Sequence, residues 1–150
     1  MISFRPAVPE DFDYCARLYF TEMETIIREL KLDRQAQATS FRRQWNPAEA
    51  RIIMLDGAAI GWLQSAARDE ALFLAQLFID AAFQRRGIGT AVMHRLIAQA
   101  NQAGQPLALE VVKINPAKRL YQRLGFHTIG EDDRKYHMRR EPDRAEPASS

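Results

Sequence analysis

The chain has a single cysteine, Cys15, so no disulfide bond can form within its 150 residues. Three scattered histidines and one cysteine do not supply the ligands of a structural zinc site, and we expect no metal. No apolar run approaches the roughly 20 residues that a membrane-spanning helix needs. The first residues also lack the basic stretch and apolar core of a secretory signal, so we expect a cytoplasmic protein that does not contact a membrane.

Two common nucleotide-binding fingerprints are missing as well. A dinucleotide-binding loop carries three glycines in the order Gly-x-Gly-x-x-Gly, and a P-loop ends in Gly-Lys-Ser or Gly-Lys-Thr. The sequence Gly87-Ile88-Gly89 has no third glycine at that spacing, and no Gly-Lys-Ser or Gly-Lys-Thr follows it.

Length and composition are those of an ordinary globular protein. With 47% hydrophobic and 27% charged residues, the chain suits one domain with a single core. We expect this domain to cover residues 1–140. Residues 141–150 are rich in proline, serine and charge, which predicts a disordered tail.

Positive charge is concentrated in one segment. The formal net charge is +2, but residues 84–123 carry seven bases and one acid, Glu110, so the rest of the chain sums to −4. Such a segment suits a phosphate-bearing ligand. A nucleic-acid-binding surface is the alternative, but only Tyr121 interleaves an aromatic ring with these bases, and nucleic acid is not the partner that we expect.

The first half of the sequence predicts a strand, two helices and a hairpin. A helix is expected from Pro9 to Leu30, with a break allowed near Thr21, and Asp33 is a candidate N-cap for a second helix. The turn Asp56-Gly57 predicts a hairpin. The strands in this half are expected at residues 2–5, 51–55 and 58–67.

The second half predicts alternating strands and helices. Residues 71–79 are almost continuously apolar, as in a strand buried on both faces that completes an antiparallel meander. The main helix is expected over 87–103, and one stripe of it is expected to hold Ile88, Ala91, Val92, Leu96 and Gln99. Residues 107–112 predict a strand that pairs parallel with 71–79. A short helix from Asn115 to Gly125 and a last strand pair, 126–130 and 135–139, follow.

The loop after Ile79 has the features of a phosphate-binding turn. Glycines at 87 and 89 let the backbone approach a bound group without a Cβ. The free N–H groups of the next helical turn favour an anion. Arg85 and Arg86 add positive charge, and Thr90 offers a hydroxyl donor. A diphosphate fits this description.

Two motifs resemble one family. The order Gln84-x-x-Gly87-x-Gly89 after a strand resembles the pyrophosphate loop of the GNAT superfamily of acyl-CoA-dependent N-acyltransferases. The segment from Asn115 to Phe126, which contains Ala-x-x-Leu-Tyr-x-x-x-Gly-Phe, is similar to the family's N-x-x-A-x-x-L-Y-x-x-x-G-F segment. The resemblance covers roughly residues 2–140 and is weakest in the N-terminal part.

The resemblance implies an α/β (α+β) fold with a mixed, mostly antiparallel central sheet flanked by helices on both faces. It implies transfer of an acetyl group from acetyl-CoA to a primary amine by direct attack in a ternary complex. It also implies a cofactor site at Leu77, Phe78, Ile79, Gln84, Arg85, Arg86, Gly87, Ile88, Gly89, Thr90, Asn115, Lys118 and Tyr121.

Tyr121 is the candidate general acid, because a phenol with an ordinary pKa near ~10 keeps its proton at neutral pH. Periodicity alone favours packing, since Ala117, Leu120, Tyr121 and Leu124 share one helical stripe. The matching motif favours the catalytic role. Asn115 is either the N-cap of the short helix or a ligand of the pantetheine arm.

The general base stays open. Many family members use a glutamate on the strand that here holds Gln76, or ordered waters. Glu110 on the neighbouring strand is a candidate, although such acids are more often solvated or paired. His127 and His137 are further candidates, although lone histidines are more often structural.

The acceptor is a small-molecule or peptide amine of unknown identity. In this family the N-terminal helices usually wall the acceptor site. Phe20, Met23 and Trp45 are candidates for its lining, and Glu22 or Glu24 for attracting a cationic amine, although an amphipathic helix with a solvated acidic face is the commoner role of such residues. A homodimer is compatible with the resemblance. The alternative function is a non-catalytic acyl-CoA-binding or sensor module, which the absence of a glutamate at position 76 leaves open.

Overall fold

The computed structural model describes residues 1–143. Its helices and strands, in chain order, are β1 (Ile2–Pro6), α1 (Phe12–Glu29), α2 (Arg34–Gln44), β2 (Ala50–Leu55), β3 (Ala58–Arg68), β4 (Ala71–Ile79), α3 (Ile88–Gln102), β5 (Leu107–Val112), α4 (Lys118–Arg123), β6 (His127–Glu131) and β7 (Lys135–Arg140). Short 3-10 turns cover Pro9–Asp11 and Ala81–Phe83.

The predicted tail lies mostly outside the described residues, because 144–150 are not among them. Residues 141–143 follow β7 without regular secondary structure. Asp143 accepts hydrogen bonds from Arg140 and from the side chain of Asn101, so this end of the described chain has defined contacts.

The two N-terminal helices form where the sequence predicts them. Asp33 caps α2, and its carboxylate accepts a hydrogen bond of 2.9 Å from the N–H of Gln35. The sequence analysis allowed a break in the first helix near Thr21. This prediction is wrong, because α1 runs continuously through this residue. The Thr21 hydroxyl donates to the carbonyl oxygen of Arg17, so its polar group is satisfied within the helix.

The turn between β2 and β3 is of the predicted hairpin type. Asp56 and Gly57 both have positive φ, +50° and +86°, as a two-residue primed turn requires. Asp69 and Glu70, which link β3 to β4, also have positive φ. Polar residues and one glycine therefore occupy the strained turn positions at the two ends of β3.

The seven strands form one sheet in the order β1-β2-β3-β4-β5-β7-β6. The pairs β1–β2, β2–β3, β5–β7 and β6–β7 are antiparallel. Strands β4 and β5 are parallel, with Leu72 opposite Leu107 and Leu74 opposite Leu109. The predicted mixed, mostly antiparallel sheet flanked by helices is confirmed, as is the parallel pair.

The chain forms two compact units. The first holds residues 1–65 and 75–89, and the second holds 66–74 and the chain from Thr90 onward. The expectation of one domain over 1–140 stays a prediction. None of the helices in residues 1–143 has the length and apolar character needed to cross a membrane.

Each unit has its own buried residues. In the first unit, aromatic rings dominate: the ring centroids of Tyr19 and Phe41 lie 4.6 Å apart, and those of Phe41 and Trp62 lie 5.8 Å apart. The second unit buries aliphatic side chains, which include Val92, Met93, Leu96, Ile97, Ala100, Leu107, Leu109, Val111 and Met138.

The buried stripe of α3 includes Ile88, Val92 and Leu96 as predicted, but it differs from the prediction at one position. Gln99 is exposed. The buried positions Met93, Leu96, Ile97 and Ala100 instead follow the i, i+3, i+4, i+7 pattern. An aliphatic stripe was available beside the one that contained Gln99, and burial of the glutamine amide would have required hydrogen-bond partners.

Candidate active site

The loop after β4 has the geometry of an anion-binding turn. The carboxylate of Asp80 accepts a hydrogen bond from the N–H of Ala82 and so closes the 3-10 turn. Arg85 and Gly87 follow with positive φ, +63° and +75°, before α3 begins at Ile88. Glycine is favoured at position 87 because residues with a side chain rarely adopt this backbone conformation.

The backbone of this loop is open to a ligand. A Cβ placed on Gly87 or Gly89 would meet no atom within 4 Å. The side chains of Arg85 and Arg86 are exposed, and the guanidinium carbon of Arg86 lies 5.5 Å from the centroid of the Phe83 ring. Open glycines, free helical N–H groups and two cations together fit a diphosphate.

The strand β4 changes character along its length. Its register with β5 runs over Leu72–Leu74, and residues 75–79 continue beyond the last paired position. Ala75 is exposed and residues 76–79 are half-buried, so the expectation of burial on both faces is wrong for this part. An apolar run alone does not distinguish a covered strand from one that offers its surface to a ligand.

The side-chain amide of Gln84 links α1 to this loop. The Nε2 atom of Gln84 donates to Oε2 of Glu22 over 2.9 Å and to the carbonyl oxygen of Ile79 over 2.8 Å. Gln84 is the first residue of the glycine motif, and its side chain holds the loop against the end of β4. The sequence offers Glu22 as a group that attracts a cationic amine, but it does not predict this bond, because the two residues are 62 positions apart.

In the second unit, Asn115 forms a turn and not a helix cap. Its Oδ1 accepts a hydrogen bond of 2.9 Å from the N–H of Ala117. The helix α4 begins at Lys118, and the residue before it, Ala117, makes no capping bond. The expected helix start at Asn115 is therefore wrong. One residue separates Asn115 from Ala117, where the family segment has two, and this spacing suits a tight turn.

Tyr121 lies in α4 and is half-buried. Its ring packs edge-on against that of Phe126, with centroids 5.8 Å apart. Burial raises the pKa of the Tyr121 hydroxyl. The phenol therefore keeps its proton at neutral pH, which a general acid requires. The side chain of Lys118, three residues earlier, points its ammonium at the Tyr136 ring, 3.7 Å from the centroid.

Glu110 lies in a cluster with His137 and Asp132. The His137 ring is held between the two carboxylates, with Nδ1 2.9 Å from Glu110 Oε2 and Nε2 3.2 Å from Asp132 Oδ2. The N–H groups of Arg134 and Lys135 lower the pKa of Asp132. Of the predicted base candidates, Glu110 and His137 are thus brought together, whereas His127 is exposed on β6.

The predicted residues fall into two groups by unit. Residues 77–89 belong to the first unit, and the second unit holds Thr90, Glu110, Asn115, Lys118 and Tyr121. The first group supplies an open loop, two cations and the strand backbone of residues 77–79. The second supplies a phenol, an amide and a carboxylate. These are the group types that binding a phosphorylated thioester and transferring its acyl group require.

Solved structures share this fold. Ard1 from Thermoplasma volcanium is 21% identical, with a TM-score of 0.68, over 95% of this chain and 99% of that one. The PaiA N-acetyltransferase from Thermoplasma acidophilum, in complex with coenzyme A, is 18% identical, with a TM-score of 0.65, over 94% and 99%. The ribosomal-protein-S18-alanine N-acetyltransferase from Escherichia coli is 18% identical, with a TM-score of 0.68, over 100% and 99%.

At these identities the similar structures show the fold alone, and among curated proteins no sequence matches this chain. The family model described as "Acetyltransferase (GNAT) family" matches residues 15–126, which is most of the chain and includes both motifs. The protein belongs to the GNAT family of acetyltransferases.

Proposed function

We propose that the protein is an N-acetyltransferase that moves the acetyl group of acetyl-CoA to a primary amine by direct attack in a ternary complex. The observation that carries this proposal is the open, basic loop from Gln84 to Thr90 at the end of β4. In a GNAT acetyltransferase, such a loop has a direct use at the diphosphate of an acyl-CoA donor.

The proposed donor site uses backbone and charge. The N–H groups of residues 87–90 and the guanidinium groups of Arg85 and Arg86 bind the diphosphate. The backbone of residues 77–79 binds the acyl end of the pantetheine arm. Asn115 contributes its amide to the same arm, and Lys118 adds positive charge.

The reaction forms a C–N bond and breaks a C–S bond. The amine nitrogen attacks the thioester carbon, and backbone N–H groups of β4 stabilise the developing oxyanion. Tyr121 gives its proton to the departing thiolate. Because burial raises the pKa of Tyr121, the hydroxyl is protonated when the thiolate leaves.

The amine must also lose protons, and Glu110 is the base candidate carried forward from the sequence, with ordered water as the alternative. His137 lies 2.9 Å from Glu110 and occupies one of its carboxylate oxygens. This contact leaves Glu110 less available as a proton acceptor.

Two similar structures support the choice of donor and nucleophile. The Thermoplasma acidophilum protein is a complex with coenzyme A, and the Escherichia coli protein is named for N-acetylation of an alanine. By analogy the acceptor is a small-molecule or peptide amine, acetylated in the cytoplasm. A homodimer is proposed from the family resemblance alone, and analytical ultracentrifugation tests it.

Calorimetric titration with acetyl-CoA, CoA and NADH tests donor binding. We expect saturable binding of the two CoA ligands and none of NADH. A screen of tyramine, spermidine, Nα-acetyl-lysine methyl ester and a hexapeptide with a free N-terminus then tests turnover, through release of the CoA thiol. Binding of acetyl-CoA without turnover of any amine would favour the alternative, a non-catalytic acyl-CoA-binding module. No binding of acetyl-CoA would overturn both functions.

A further inference from the structure

The carboxylate of Glu22 lies beside the end of β4. Its Oε2 atom and the carbonyl oxygen of Ile79 accept hydrogen bonds from the same nitrogen, Nε2 of Gln84. The separation of these two oxygens therefore cannot exceed the sum of the two bonds, about 5.7 Å. Under the proposed function, the backbone of residues 77–79 binds the thioester carbonyl that reacts. The Glu22 carboxylate therefore lies near the position from which the acceptor amine attacks.

Glu22 has no cation of its own in the structure. The side chain is half-buried on α1, and within residues 1–143 it forms no ion pair. Its hydrogen bond from Gln84 is to Oε2, and in the same part of the chain Oε1 accepts none. A carboxylate that is partly removed from water gains most from a cationic partner that also donates hydrogen bonds.

The link through Gln84 explains why the carboxylate is held in this place. Gln84 begins the glycine motif, so the same amide that closes the loop against β4 also orients Glu22. Glu110, in contrast, already has His137 as a neighbour that can carry positive charge. Of the two acids, Glu22 is therefore the one that has no ion-pair partner within residues 1–143.

We propose that Glu22 binds the ammonium group of the acceptor and accepts its first proton, so that the enzyme selects amines that are cationic at neutral pH. This inference rests on the proposed function, because it assumes that residues 77–79 hold the acyl group.

The proton balance is complete without another reagent. One ammonium proton passes to the Glu22 carboxylate and then to water. The neutral nitrogen forms the C–N bond as the C–S bond breaks, and Tyr121 protonates the thiolate. The second proton that the nitrogen releases restores the Tyr121 hydroxyl.

The test compares Glu22→Gln with Glu29→Gln. Glutamine at 22 keeps an oxygen for the Gln84 hydrogen bond but removes the charge and the basicity. Glu29 is exposed on the same helix, so its replacement controls for loss of one negative charge. We expect Glu22→Gln to lower kcat/KM for the best cationic amine of the screen by about 100-fold, in the range of general-base effects. The kcat/KM of Glu29→Gln for the same amine should stay within about twofold of the wild-type value.

A neutral nucleophile separates recognition from structure. Methoxyamine is uncharged at neutral pH, so Glu22→Gln should acetylate it within about threefold of the unchanged protein. The calorimetric Kd for acetyl-CoA should also be unchanged in Glu22→Gln.

Three results would overturn the inference. Equal values of kcat/KM for Glu22→Gln and Glu29→Gln with the cationic amine would show that Glu22 neither binds nor deprotonates the acceptor, while the acetyltransferase assignment stands. Loss of acetyl-CoA binding in Glu22→Gln would make the role structural. An unchanged protein that binds acetyl-CoA but acetylates no amine would remove the proposed enzyme function, and this inference with it.

Discussion

Gly61 of β3 lies so close to the backbone of Phe78 in β4 that no side chain fits between them. A Cβ on Gly61 would overlap the carbonyl oxygen of Phe78 and would lie 3.2 Å from the Cα of Ile79. Backbone atoms of a paired strand cannot turn away as a flexible side chain can. Gly61 is therefore required by the position of β4, at the strand end that the proposed function assigns to the acyl group.

Replacement of this glycine tests the close approach. Gly61→Ala should lower the free energy of unfolding by about 1–3 kcal/mol, the usual cost of overpacking a well-packed site. Urea denaturation measures the difference. Gly130→Ala is the matched control, because a Cβ there meets no atom within 4 Å, and it should change stability by no more than about 0.5 kcal/mol. Equal stability of the two variants would show that β4 yields at this position.

For Gly89, in the open loop, we expect no loss of stability on replacement by alanine, in contrast to Gly61. A Cβ at this position in the first turn of α3 meets nothing within 4 Å, and alanine favours a helix by roughly 0.5–1 kcal/mol. Gly89→Ala should therefore keep or raise the stability of the free protein. The same methyl group enters the space proposed for the diphosphate, so the calorimetric Kd for acetyl-CoA should rise at least about tenfold. Unchanged affinity would move the diphosphate away from Gly89.

Removal of the Tyr121 hydroxyl tests the general acid. Tyr121→Phe keeps the ring that packs on Phe126 and should lower kcat by about 100-fold, with the Kd for acetyl-CoA unchanged. Tyr19→Phe is the control. It removes a hydroxyl that lies 3.4 Å from Gln37, in the unit that does not contain Tyr121, and its kcat should be unchanged. Steady-state kinetics with the best amine of the screen measure both. Normal turnover by Tyr121→Phe would exclude the acid role.

The ion pair of Arg5 and Asp11 predicts a pH-dependent contribution to stability. The guanidinium donates two bonds of 2.9 Å to the carboxylate, and this contact lowers the pKa of Asp11. A lowered folded-state pKa gives stability that is present above the ordinary aspartate pKa, near ~3.9, and is lost as the pH falls through the folded-state value. Because Arg5 is partly exposed, we expect a contribution of only about 1 kcal/mol.

Urea denaturation of Asp11→Asn at pH 7 and at pH 2–3 measures this contribution. The variant should be less stable than the unchanged protein at pH 7, and the difference should shrink at acid pH, where the wild-type carboxyl is protonated. Asp13→Asn, on an exposed side chain in the same helical turn, should show no such change. A difference that persists undiminished at acid pH would assign the effect to something other than the carboxylate charge.

Local signals identified most of the helices and strands. The turn at Asp56-Gly57 and the cap at Asp33 each depend on the conformation of one or two residues. Such preferences act within a few residues and do not need the rest of the fold. The start of α4 is the exception, because Asn115 can accept a hydrogen bond from the N–H of Ala117 in a turn as well as in a cap.

The sequence by itself determined the family, the order of strands and helices, and the glycine motif that favours an anion, because each depends on residue type and short spacing. Only the tertiary structure decided which neighbours the site residues have. The bond from Gln84 to Glu22 and the position of His137 between Glu110 and Asp132 join residues far apart or on different strands. Such contacts depend on how strands and helices pack, and periodicity within one segment carries no information about its partner.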